Sequence, residues 1–157
     1  ELGGSEYFMS LGFTGNRVPK VSPKQAKELM DNLAAATDKC LVKACHDLSD
    51  GGLGVAAAEM AFAGGLGATI RLEQVPLGEA IERDDYILFS ESNSRFLAEI
   101  APEDKDKFEK TMGKVVFSQI GEVTSSAMLE VYGLNGNRVL DAPIDGLKEA
   151  WQKPLDW

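Results

Sequence analysis

A chain of 157 residues with a hydrophobic fraction of 44% has the size and composition of one folded unit. Its 25 acidic residues outweigh 16 basic ones, giving a formal charge of −9, and no run of Lys and Arg interrupts that surplus. Nucleic acid and anionic membrane are poor partners for such a surface.

Residues 1–20 are short on periodicity. Gly3, Gly4 and Gly15 flank an apolar group of Tyr7, Phe8, Met9, Leu11 and Phe13, enough for about two helical turns, before Pro19 stops any helix. This stretch reads as a lead-in or linker segment, with the domain proper at 21–157. Ser22 as N-cap, Pro23 at the first helical position and Ala26, Leu29, Met30 and Leu33 on one face predict a helix from Pro23 to Thr37. Leu41 to His46 then reads as a buried strand leading into the glycine turn Asp50-Gly51-Gly52. After that turn, the alanine-rich Leu53 to Ala63 predicts a helix capped by Gly64-Gly65. The stretch Leu53 to Ile70 is apolar but carries Glu59 and several glycines, so it is a core segment and not a membrane span.

Ala68 to Leu72 alternates as a strand, and Pro76 to Glu82 has the makings of a short helix. Tyr86 to Phe89 is apolar enough for a buried strand or a helix end. The polar loop Ser90-Glu91-Ser92-Asn93-Ser94 follows, and Arg95 to Ile100 resumes as a strand. Pro102 to Met112 predicts a surface helix with an i, i+4 contact between Phe108 and Met112. Three strands are expected beyond it, at Val115 to Val123, Met128 to Tyr132 and Arg138 to Leu140, the last two joined by the hairpin signature Asn135-Gly136-Asn137. Ile144, Leu147 and Trp151 mark a final amphipathic piece that Pro154 ends. The expected class is α+β: a mixed, mainly antiparallel sheet with helices packed on a face.

Cys40 and Cys45 sit an odd number of residues apart on the expected strand, point to opposite faces and so cannot readily bridge, which fits a reducing, cytoplasmic setting. With His46 they offer too few soft ligands for zinc. The chain starts at Glu1 without a methionine and shows no signal peptide, which suggests a piece of something longer; tag removal or processing leaves the same mark.

Two constellations bear on chemistry. Asp47, Ser49 and Asp50 stand where a strand gives way to a helix at Gly51-Gly52. Hard oxygen ligands for a metal and backbone N–H donors for phosphate oxygens meet at such a mouth, and the glycines let a ligand come close to the backbone. The alternative is that Ser49 or Asp50 merely caps the helix and Asp47 bonds within the turn. In the second constellation, Arg95 offers a bidentate phosphate contact and the serines, Ser94 among them, add hydrogen bonds; a solvated turn between buried segments is the competing account. His46 is the single histidine and the natural candidate for acid–base work, yet it ends an apolar strand, where a histidine bonded internally is more usual. No residue is assigned a catalytic role. Gly64, Gly65 and Gly67 follow a helix instead of preceding one, so they terminate it and do not cradle phosphate.

His46-Asp47-Leu48-Ser49-Asp50-Gly51-Gly52-Leu53, then Ala57-Ala58-Glu59-Met60-Ala61, and later Phe89-Ser90-Glu91-Ser92-Asn93-Ser94-Arg95-Phe96 resemble the C-terminal domain of phosphoribosylformylglycinamidine synthase. Gly3-Gly4-Ser5-Glu6-Tyr7 is similar to the segment that leads into that domain, so the resemblance covers nearly the whole chain. It implies a share in an ATP-dependent ligase of purine biosynthesis. That enzyme converts formylglycinamide ribonucleotide, ATP and glutamine into formylglycinamidine ribonucleotide, ADP, phosphate and glutamate, with Mg²⁺ neutralising the polyphosphate.

The resemblance further implies an N-terminal ATP-binding domain and a glutaminase domain or subunit as partners. It carries Mg²⁺ coordination onto Asp47, with Asp50 beside it, and nucleotide phosphate contact onto Ser49, with Gly51, Gly52, Ser94 and Arg95 completing the candidate site. Alone, the chain is expected to be inactive. Relatives in the wider superfamily (aminoimidazole ribonucleotide synthetase, selenophosphate synthetase, thiamine-monophosphate kinase and a hydrogenase maturation factor) carry other versions of the Asp-Gly-Gly turn and rank second. A freestanding binding module without catalysis is the remaining alternative.

Overall fold

The computed structural model describes residues 1–155; the last two positions of the expected 21–157 domain lie outside the described residues. Among the described residues, six strands and six α-helices alternate irregularly. Helix α1 (Glu6–Ser10) and the long α2 (Pro23–Asp38) precede β1 (Val42–Asp47), and α3 (Gly52–Gly64) leads to β2 (Gly67–Arg71). After them come α4 (Asp84–Phe89), β3 (Phe96–Ile100), α5 (Lys105–Met112), β4 (Gly121–Thr124), β5 (Met128–Tyr132), β6 (Arg138–Pro143) and α6 (Ile144–Gln152).

The class is α+β, mixed and mainly antiparallel, and the strands divide between two sheets. One is a four-stranded sheet in the order β4-β2-β5-β6, antiparallel except for the parallel β2–β5 pair, where Ala68 faces Leu129 and Ile70 faces Val131. The other is a two-stranded antiparallel ribbon in which His46 on β1 faces Leu97 on β3. Helix α3 touches both sheets, which explains why its small alanines run nearly all the way round: a helix packed on more than one side has little use for a polar face. Leu53, Ala56 and Ala57 from α3, Ile70 from β2, Ile87 from α4 and Leu129 and Val131 from β5 form the core.

Several local expectations shift. Ser22 occupies the N-cap of α2, but its hydroxyl makes no capping bond, and Pro23 at the start of the helix sets the entrance. No helix forms over 76–82; α4 begins at Asp84 instead, with Arg83 as its N-cap, where Asp84 and Asp85 place negative charge in the first turn and Ile87 and Leu88 find the core. The apolar stretch after α5 does not pair until Gly121, and Val116 is 80% exposed. The ribbon strand β1 alternates between half-buried and exposed positions and is not buried throughout, because only one of its faces meets α3. Cys40 lies in the turn before β1 with φ 56° and not on the strand; both cysteines are free and exposed. The hairpin at Asn135-Gly136-Asn137 forms as expected, with Gly136 at φ 72°, and Gly65 ends α3 in the left-handed conformation. No helix among the described residues is long and apolar enough to cross a membrane.

Candidate functional site

The first motif block folds as strand, turn and helix. Strand β1 ends at Asp47, Leu48 turns its side chain into the core, and Ser49 and Asp50 stay exposed before the chain enters α3. Neither Ser49 nor Asp50 caps the helix with its side chain. The N-cap is Gly51, at φ 77°, a left-handed conformation that glycine adopts without penalty. A Cβ there would also press on Val55, 2.8 Å from its Cβ.

The glycines serve a contact inside the protein and not an open cradle. Gly52 lies at φ 60°, and a Cβ on it would collide with the Ser90 carbonyl oxygen and come within 2.9 Å of that of Leu88. The end of α4 therefore occupies the space a ligand would need beside Gly52. The amides are engaged as well: Gly52 N–H donates to the Ser49 carbonyl at 2.9 Å, and Gly51 N–H donates to Glu91 Oε1 at 2.9 Å. Both glycines are buried. The N–H groups that such a turn would offer a phosphate are here engaged by the protein's own carboxylate and carbonyl.

The second block supplies the opposite wall. Leu48 N–H donates to the Arg95 carbonyl at 3.0 Å, so the α4–β3 loop is stitched to the turn after β1. Ser94 takes φ 59°, unusual for a serine, and the chain reverses there. Arg95 folds its guanidinium back onto the loop, donating through Nη1 to the Ser90 carbonyl at 3.2 Å and to Ser90 Oγ at 3.0 Å. Burial lowers its pKa, and among the described residues no carboxylate lies within ion-pair distance of it. A desolvated guanidinium without a counter-ion is a favourable place for an anion to arrive.

An open cleft of about 320 Å³ lies between the walls, lined by Asp47, Ser49 and Asp50 on one side and by Glu91, Ser94 and Arg95 on the other. The structure thus brings together five of the seven candidate residues and leaves Gly51 and Gly52 behind the wall. Pro19 and Met30 also line it, contributions from the lead-in segment and α2 for which the sequence carries no signal. With Glu91 Oε1 held by the amides of Gly51 and Glu6, Asp47 and Asp50 are the carboxylates set against the Arg95 guanidinium across this space, so a bare anion is repelled on balance, whereas a phosphate carrying a divalent cation is not. Among the described residues no three of His, Cys, Asp and Glu converge as a metal site. Asp47 and Asp50 offer the one or two carboxylates with which Mg²⁺ is commonly held when phosphate oxygens and water complete its shell.

His46 is outside this cleft's lining. Its Nε2 lies 2.7 Å from Glu59 Oε2 on α3, and its Nδ1 lies 2.7 Å from the Asp47 carbonyl oxygen. Its bonds are internal, as the apolar strand before it suggests.

A mixed fold of this topology, with an acidic turn and a Ser-Arg loop facing each other across one cleft, defines a domain class: residues 1–133 match the family of the AIR synthase related protein, C-terminal domain, and the chain belongs to it. It is 35% identical over 158 aligned residues to phosphoribosylformylglycinamidine synthase subunit PurL of Alkaliphilus metalliredigens, covering 99% of this chain and 20% of that protein. The PurL subunit of Thermococcus kodakarensis is 35% identical over 149 residues, covering 95% of this chain and 20% of that one. Among solved structures, Thermotoga maritima PurL complexed with FGAR superposes with a TM-score of 0.76 at 27% identity, over 89% of this chain and 24% of that one. The same protein complexed with ATP gives 0.70 at 28% identity, over 77% and 21%. A HypE-HypF complex shares the fold, with a TM-score of 0.63 at 20% identity over 86% of this chain and 46% of that one. The chain spans about a fifth of the length of the curated relatives it matches.

Proposed function

We propose that this chain is the C-terminal domain of a phosphoribosylformylglycinamidine synthase and contributes one wall of a nucleotide site in that ligase. The observation that supports this most directly is the meeting of the two motif blocks in a single cleft with a charge balance suited to a cation-bearing phosphate. Asp47 and Asp50 hold Mg²⁺ from one side, while Ser49, Ser94 and Arg95 contact phosphate oxygens. The metal's chemistry is neutralisation of the polyphosphate during transfer. The remaining ligands come from an N-terminal ATP-binding domain, residues 1–20 lead into the domain at 21–157, and a glutaminase domain or subunit supplies ammonia to formylglycinamide ribonucleotide. The setting is cytoplasmic.

A partial site predicts a divided result. The purified 157-residue chain, given ammonia, Mg-ATP and formylglycinamide ribonucleotide, forms no product, whereas the polypeptide in its full coding context does. In that full polypeptide Asp47→Ala weakens Mg-ATP binding by calorimetry by about tenfold, the scale of losing one charged metal contact. Product formation by the short chain alone, or Mg-ATP binding indifferent to Asp47→Ala, overturns the reading.

A further inference from the structure

We infer that Glu91 is a positioning residue that sets the two walls of the cleft and the lead-in segment in register, acting through the backbone and not on the ligand. This rests on the reading of the cleft as a phosphate site. Glu91 Oε1 accepts two backbone N–H groups from distant parts of the chain, Gly51 at 2.9 Å and Glu6 at 3.0 Å. Both donors are orphans of helix starts: Gly51 is the N-cap of α3, and Glu6 is the first residue of α1. The Ser5 hydroxyl caps Phe8 instead, accepting its N–H at 3.2 Å while donating to the Leu2 carbonyl at 2.8 Å. One carboxylate oxygen is therefore shared by the turn that carries Ser49 and Asp50, the loop that carries Ser94 and Arg95, and the segment that carries Pro19 to the rim.

The chemistry of the contact separates positioning from ligation. Accepting an N–H requires an oxygen lone pair and not a charge, so the amide oxygen of glutamine can replace Oε1 in the same geometry. Holding a metal ion or repelling a phosphate requires the negative charge, which glutamine lacks. Among the described residues no Lys or Arg pairs with Glu91, and its carboxylate is engaged by the two amides.

The test compares E91Q and E91A in the full-length polypeptide. With Mg-ATP as the varied substrate, E91A raises KM by about fivefold or more with kcat within about twofold of the parent, and E91Q stays within about twofold in both. Equal damage from E91Q and E91A overturns the proposal, since it shows that the charge itself is required; so does an E91A enzyme that behaves like the parent. Amide hydrogen exchange reads the bonds with no ligand present: Glu6 and Gly51 exchange about tenfold faster in E91A and close to the parent rate in E91Q. Unchanged exchange in E91A overturns the role of Glu91 whatever the cleft binds. Exchange as expected, together with Mg-ATP binding indifferent to Asp47→Ala, overturns the phosphate reading and leaves Glu91 in place.

Discussion

His46 Nε2 sits 2.7 Å from Glu59 Oε2, and the other oxygen of that carboxylate accepts the indole N–H of Trp151 at 2.6 Å, so one acidic side chain joins the ribbon strand β1, the central helix α3 and the C-terminal helix α6. Phe62 adds an aromatic contact, its ring centroid 5.7 Å from that of Trp151. Replacing Glu59 removes two bonds at once, and hydrogen bonds to a charged group are the stronger kind, so Glu59→Ala costs roughly 2–3 kcal/mol. His46→Gln costs roughly 1 kcal/mol. Urea unfolding followed by tryptophan fluorescence measures both. In the full-length polypeptide His46→Gln keeps kcat within about threefold; a loss of several orders of magnitude instead marks His46 as an acid–base group.

Gly52 has two reasons to be glycine, its positive φ and the carbonyls of Leu88 and Ser90 against its hydrogen. Gly52→Ala therefore combines left-handed strain of about 1–2 kcal/mol with a steric displacement of the α4 end. The expected loss is about 3 kcal/mol or more in chemical denaturation. Gly64→Ala is the control: a Cβ at Gly64 meets nothing within 4 Å, and the change is neutral or stabilising.

Arg95 and its two bonds to Ser90 predict a specific failure of the conservative change. Lysine keeps a positive charge but cannot reach both Ser90 acceptors with a fixed fork while offering further N–H groups outward. Arg95→Lys is expected to weaken Mg-ATP binding in the full polypeptide by about five- to tenfold, as read by calorimetry. An unchanged affinity places Arg95 outside the phosphate contacts.

Tyr7, Asp85 and Arg83 predict how stability follows pH. Hydrogen bonding to the Arg83 guanidinium, and then to the Tyr7 hydroxyl at 2.6 Å, holds the Asp85 carboxyl below its ordinary range. The same contact to Asp85 raises the Tyr7 hydroxyl above its ordinary value. A depressed carboxyl contributes stability above its unfolded pKa and loses it as pH falls through the folded value. A raised phenol contributes below its unfolded pKa and loses that contribution as pH climbs through the folded one. Asp85→Ala removes both limbs, so that its denaturation midpoint varies less than the parent's at acidic pH and again at alkaline pH. The side chains involved are largely solvent-screened, so the effect is small.

How much was legible in the sequence depended on how far apart the cooperating residues stand. The helix after Ser22-Pro23, the hairpin at Asn135-Gly136-Asn137 and the stop at Gly65 rest on chemistry within a few residues, and each forms where the sequence places it. The two motif blocks were visible too, as were Asp47, Ser49, Asp50, Ser94 and Arg95, which the fold brings to one cleft. What sequence reading could not supply is which atoms occupy a helix mouth. The bond from Gly51 to Glu91 spans 40 residues and that from Glu6 spans 85, and neither leaves a local pattern. Glu91 stood in plain view within the loop block, but its part as a shared acceptor is a tertiary fact. The strand expected over 115–123 shortened for a similar reason: only its end lies beside β2, and backbone groups pair where a neighbour exists.

The parallel pairing of β2 with β5 has a consequence for how a nascent chain acquires this fold. Ala68 must wait for Leu129, and α3 lacks the surface that β5 and the still later α6 supply until both have left the ribosome. Contacts so distant along the polypeptide make closure entropically expensive and slow. Until then the alanine-rich helix keeps an apolar flank uncovered, the kind of surface through which incomplete folds aggregate.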